Sequence, residues 1–73
     1  MEPKEQFGVN LRRLRTAAAL SQMELSNRSG LDMAEISRLE RGQRDPRLIT
    51  IVRLATALNV DPAVLVAGIR LVA

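Results

Sequence analysis

Two helix-start signals, Ser21-x-x-Glu24 and Asp32-x-x-Glu35, follow one another closely, with Gly30 between them. In such a capping box the first side chain accepts from the third helical amide, and the carboxylate accepts back from the cap amide. Two starts this close leave room only for a short helix between them. Segment 21–42 is therefore predicted to hold two short helices meeting at a sharp turn, the first from Gln22 to about residue 28. Gly30 supplies the left-handed backbone that ends it. The second runs from Met33 to about residue 41, with Ile36 and Leu39 on its buried stripe and Gly42 stopping it.

The rest of the chain reads the same way. Phe7, Leu11, Leu14 and Ala18 recur at helical spacing and predict a first helix from Pro3 or Lys4 to Ala18, with Pro3 in the first turn. After the loop "QRDP", Pro46 is expected at the start of a fourth helix. Its apolar face is Ile51, Leu54, Ala55 and Leu58, and Asn59 takes the left-handed conformation at its end. Asp61 and Pro62 open a short fifth helix to about residue 67. Leu25 is expected in the core, and Met23 outward or half-buried. The hydroxyl of Ser26 is expected to bond back to its own helix. The fold class is all-α: one compact five-helix domain over residues 1–73, with no linker, repeat or low-complexity region.

Composition narrows the chemistry. The 73 residues include no cysteine and no histidine, which removes disulfides, the usual zinc ligands and the common acid/base group at neutral pH. Neither a metal nor a cofactor is expected, and no catalytic residues are assigned, since the carboxylates and Lys4 form no recognisable constellation. Phe7 is the single aromatic residue, so no stacking platform for single-stranded nucleic acid is available. The formal charge of +3, carried largely by arginine, suits a polyanionic partner. The charged start "MEPKEQ" is unlike a signal peptide, and no apolar run approaches the ~18 residues of a membrane span. The expectation is a cytoplasmic protein with no membrane partner.

Two short helices joined by a tight glycine turn are a helix-turn-helix signature. With "LRRLR" on the first helix, "LSQMEL" opening the second, "SGL" at the turn, "ISRLERG" on the third and "DPRL" with "IVRLATALNVDP" beyond, the chain resembles the Cro/repressor-type (Xre-like) helix-turn-helix family. The resemblance covers about residues 7–66, leaving 67–73 as an apolar tail. It implies a lambda-repressor-like DNA-binding domain, in which helices two and three form the helix-turn-helix. It also implies a transcriptional regulator that binds double-stranded DNA, mostly as a dimer on a palindromic operator.

By position on the third, recognition helix, the base-contacting candidates are Met33, Ala34, Glu35, Ser37 and Arg38. Arg38 is suited to a bidentate grip on guanine, and Met33 and Ala34 to a thymine methyl. Relatives often place polar residues where Met33 and Ala34 stand. Glu35 has two readings, accepting from a cytosine amino group or capping its own helix. Phosphate contacts are expected from Ser21 and Gln22 at the start of helix two, and from Arg41, Gln43, Arg44 and Arg47 in and around the loop. The family places Gln22 on the DNA backbone and pairs Arg15 with Glu40 as a structural ion pair.

The apolar residues Val64, Leu65, Val66, Ile69, Leu71 and Val72 exceed what a short terminal helix is expected to bury. Helix five and the tail are therefore read as a homodimer interface. A second reading competes with operator binding. The apolar start of helix three and the tail "GIRLVA" also suit a protein-interaction or antitoxin-like module, with an unidentified protein partner and DNA binding secondary.

Overall fold

The computed structural model describes residues 1–71. Five helices follow in order, α1 (Pro3–Ala17), α2 (Gln22–Ser29), α3 (Met33–Glu40), α4 (Leu48–Leu58) and α5 (Pro62–Leu65), with no strand among the described residues. Helix α3 packs on α1 and α2, α4 packs on α2 and α5, and α5 returns to α1. One core joins all five: Phe7, Leu11, Leu20, Leu25, Ile36, Leu39, Leu54, Ala55, Leu58 and Leu65. Each fully buried Leu, Ile or Phe contributes about 1.5–3 kcal/mol relative to exposure. With no cysteine available for a disulfide, this burial is what holds so small a domain together.

The local signals account for most of the boundaries. Ser21 caps α2, its hydroxyl accepting from the Glu24 amide at 3.0 Å, while the Glu24 carboxylate accepts from the Ser21 amide at 2.9 Å. Hydrogen bonds to the carboxylate from Ser21, its backbone amide first and its hydroxyl second, hold the Glu24 carboxyl below its ordinary range. Gly30 (φ 75°) and Asn59 (φ 57°) end α2 and α4 in left-handed conformations. Met23 is exposed and Leu25 fully buried, as expected.

Four expectations need correction. Asp32 occupies the N-cap position of α3 but its side chain makes no capping bond, so the second box does not form. Helix α4 begins at Leu48 with Arg47 as its N-cap, because residue 47 is still extended (ψ 158°) and leaves Pro46 outside the helix. The Ser26 hydroxyl donates to the Leu31 carbonyl across the turn rather than to its own helix, tying α2 to the entry of α3. Helix α5 stops at Leu65 instead of residue 67, and Leu65 is wholly buried in the protomer's own core. Its side chain is spent on holding α5 to the domain and cannot face a second copy.

Asn10 explains how so short a helix stays docked. It is almost fully buried on α1, and its amide donates to the carbonyls of Leu65 (3.0 Å) and Ala67 (2.8 Å). Carbonyls at a helix end lack partners within the helix, so a side chain from elsewhere must satisfy them if they are buried. Gln6 completes the arrangement by donating to the Asn10 Oδ1 at 2.9 Å.

Candidate nucleic-acid interface

Helix α3 divides cleanly by its period. Ile36 and Leu39 point into the core, whereas Met33, Ala34, Ser37, Arg38 and Arg41 fall on the opposite face, at i, i+1, i+4, i+5 and i+8. Met33 and Ala34 are exposed at its N-terminal end, and Ser37 and Arg38 are half-buried beside them. The face is thus apolar at its entry and basic toward its end.

Two networks set the positions of the polar groups. The first fastens the end of α3 to α1 and α2. Arg15 grips Glu40 with two parallel bonds, Nε to Oε2 at 2.6 Å and Nη2 to Oε1 at 2.9 Å. Its remaining Nη1 donates to the Leu20 carbonyl at 2.9 Å. Both side chains are largely enclosed, at 12% and 5% exposure, so the pair is mostly shielded from solvent. The Glu40 carboxylate raises the Arg15 pKa further, against a smaller opposing effect of burial. Glu40 Oε1 also accepts from Gln22 Nε2 at 3.1 Å. One carboxylate therefore aligns the ion-pair partner from α1 and the first residue of α2. The Gln22 amide still has a second N–H for a ligand.

The second network runs along the loop side of α3. Arg41 donates to the Ser37 hydroxyl and, through Nη2, to Gln43 Oε1 at 3.4 Å. Glu35 Oε1 lies 3.6 Å from Arg38 Nη1 and 3.9 Å from Arg44 Nε. The carboxylate expected to cap α3 instead sits between two arginines expected to meet DNA. Arg47, Arg44, Gln43 and Arg41 are all exposed. Arg47 stands at the start of α4, whose first turn holds no acidic residue and receives no bond from the N-cap side chain. Four arginines thus fall within residues 38–47, beside the exposed face of α3.

The residues expected at a dimer face are placed unevenly. Leu65 is in the core, Val64 and Ile69 are half-buried, Leu71 is 84% exposed, and Val72 lies outside the described residues. The fourth helix was expected, but not its exposed apolar outer side, where Leu48, Ile49 and Val52 stand in solvent. Their spacing at i, i+1 and i+4, roughly opposite Leu54 and Leu58, was the signal available in the sequence.

Comparison with known proteins places this architecture. A family model described as "Helix-turn-helix domain" matches residues 6–67. The HTH-type transcriptional regulator y4dJ of Sinorhizobium fredii is 42% identical over 66 residues, covering 90% of this chain and 86% of that protein. The transcriptional repressor RghR of Bacillus subtilis is 44% identical over 57 residues, which cover 77% of this chain but only 42% of RghR. Among solved structures, the restriction-modification controller protein C.AhdI from Aeromonas hydrophila superposes with a TM-score of 0.83 at 48% identity, over 85% of this chain and 94% of that one. The chain is a member of the helix-turn-helix family of Cro/repressor type, a family of DNA-binding transcriptional regulators and not of enzymes.

Proposed function

We infer that this protein is a sequence-specific regulator of transcription, binding double-stranded DNA as a homodimer on a palindromic operator with α3 in the major groove. The observation that carries the reading is the outward face of α3, anchored through Glu40 to α1 and α2 and flanked by exposed arginines. Arg38 is the side chain on that face able to grip guanine bidentately, while Met33 and Ala34 offer apolar contact to thymine methyls. Ser21 and Gln22 at the start of α2, with Arg41, Gln43, Arg44 and Arg47, provide the phosphate contacts that fix register.

The dimer reading rests on Val64, Ile69, Leu71 and Val72, joined by the exposed α4 residues Leu48, Ile49 and Val52. Its operating compartment is the cytoplasm, where its ligand is; none of the described helices is long and apolar enough to cross a membrane. A narrower version, control of a restriction-modification system, is supported by the likeness to C.AhdI across 94% of that chain. An operator with no copy ahead of restriction or methyltransferase genes in the source genome would remove that narrower version.

Fluorescence anisotropy with labelled duplexes at stepped salt tests the reading. Arg38→Ala is expected to weaken the preferred duplex by about 1–3 kcal/mol and to relax base preference. Arg47→Ala is expected to weaken all duplexes alike and to lower the log–log salt slope by roughly 0.9. Absent or salt-insensitive binding of the unmodified protein at low ionic strength would contradict DNA binding outright.

A further inference from the structure

Glu35 is an anomaly on a surface meant for a polyanion. It stands at the edge of the outward face of α3, its side chain 29% exposed, and it takes no part in capping. Its carboxylate is within 4 Å of two cations, Arg38 at 3.6 Å and Arg44 at 3.9 Å. Arg38 comes from the same helix, but Arg44 is brought in by the loop after α3, so the three groups meet only in the folded domain.

Resting on the DNA-binding reading, we propose that Glu35 is a specificity-determining residue that acts through these two arginines. It holds Arg38 in a fixed orientation for a base edge and offsets part of the positive charge that would otherwise attract any phosphate backbone. Non-specific affinity for DNA is almost entirely electrostatic, whereas specific affinity adds directed base contacts. A negative charge placed between a base-reading arginine and a phosphate-binding one therefore penalises wrong sites more than right ones. An ordered Arg38 also loses less side-chain freedom on meeting its base. At about 29% exposure the carboxylate is near enough to solvent for the pair energies to be modest, so it can release either arginine when a stronger acceptor arrives.

The test compares the unmodified protein, Glu35→Gln and Glu35→Ala on two probes: the duplex recovered by selection from a random library, and a length-matched random-sequence duplex. Circular dichroism first establishes that each variant is folded. Glu35→Gln is expected to bind the random duplex about threefold to tenfold tighter, with a steeper salt slope and a smaller preference for the selected duplex. Glu35→Ala should behave the same way. In a background carrying Arg38→Ala and Arg44→Ala, Glu35→Gln should no longer change the preference for the selected duplex over the random one, although the general gain from the lost negative charge remains, a pattern that a purely structural role would not produce. Loss of the selected duplex with no gain on the random one would overturn the proposal and make Glu35 a direct reader of cytosine. Equal affinities for both probes in all three proteins would overturn it as well. If the unmodified protein binds neither duplex, the DNA-binding reading has failed and this one falls with it.

Discussion

Replacing Glu40 with alanine is expected to destabilise the domain by about 3–5 kcal/mol, because it strands a largely enclosed arginine. Arg15 is enclosed at 12% exposure and spends two of its donors on Glu40, leaving only the Leu20 carbonyl once the carboxylate is gone. Domains of this size have ~5–15 kcal/mol of total stability, so the loss would leave a substantial fraction unfolded near 37 °C. Urea titration followed by far-ultraviolet circular dichroism is the suitable measurement, since the chain has no tryptophan or tyrosine to serve as a fluorescent probe. The paired replacement Arg15→Met with Glu40→Leu should recover much of the loss, because removing both partners leaves no charge stranded. A single variant that loses under ~1 kcal/mol would show that the pair is solvated like a surface bridge. The effect should also reach DNA binding, since the Gln22 amide loses the acceptor that orients it.

A methyl group on Gly8 would produce the other large effect, and its sign runs against helix propensity. Gly8 lies inside α1, where alanine is ordinarily preferred by about 1 kcal/mol. A Cβ there would stand 2.4 Å from the Leu39 carbonyl oxygen and 2.7 Å from that of Glu40. Both atoms belong to the backbone at the end of α3, which cannot swing aside as a flexible side chain would. Gly8→Ala is therefore expected to cost about 1–3 kcal/mol net, and Gly8→Leu about 3 kcal/mol or more. Because α1 must retreat from the end of α3, the recognition helix should lose its seating, and affinity for DNA should fall together with stability. An increase in the urea midpoint for Gly8→Ala would show that propensity outweighs packing and would refute the close-approach argument.

These two residues mark different degrees of legibility. The Ser21 box, the left-handed turns at Gly30 and Asn59 and the apolar stripes are local events, and local spacing suffices to read them. The Arg15–Glu40 pair was reachable only through the family resemblance, because its partners lie 25 positions apart. Gly8 was not reachable at all. A glycine within a helix reads as a mild defect until another backbone is known to pass against it. Asn10 was hidden for a similar reason, since its partners are the carbonyls of Leu65 and Ala67, 55 and 57 positions away.

Glu35 shows how one spacing serves two structures. A carboxylate three residues after an N-cap also stands three residues before Arg38. In the fold it faces Arg38 and also Arg44, which is delivered by a loop whose path no periodicity describes. Leu65 illustrates the limit of counting apolar residues. The tally counts apolar residues at the C-terminal end, but only packing decides which member closes the core. The surplus turned out to include α4, at Leu48, Ile49 and Val52.

Selection of bound duplexes from a random library, performed on the purified protein, measures the central claim most directly. The account predicts enrichment of a two-fold symmetric sequence whose half-sites lie about one helical turn apart, roughly 10 base pairs, as two copies of α3 require. It further predicts that Arg38→Ala erases preference at one position in each half-site. Binding without enrichment of any sequence, or enrichment of a single asymmetric half-site, would contradict a homodimer reading an operator through α3.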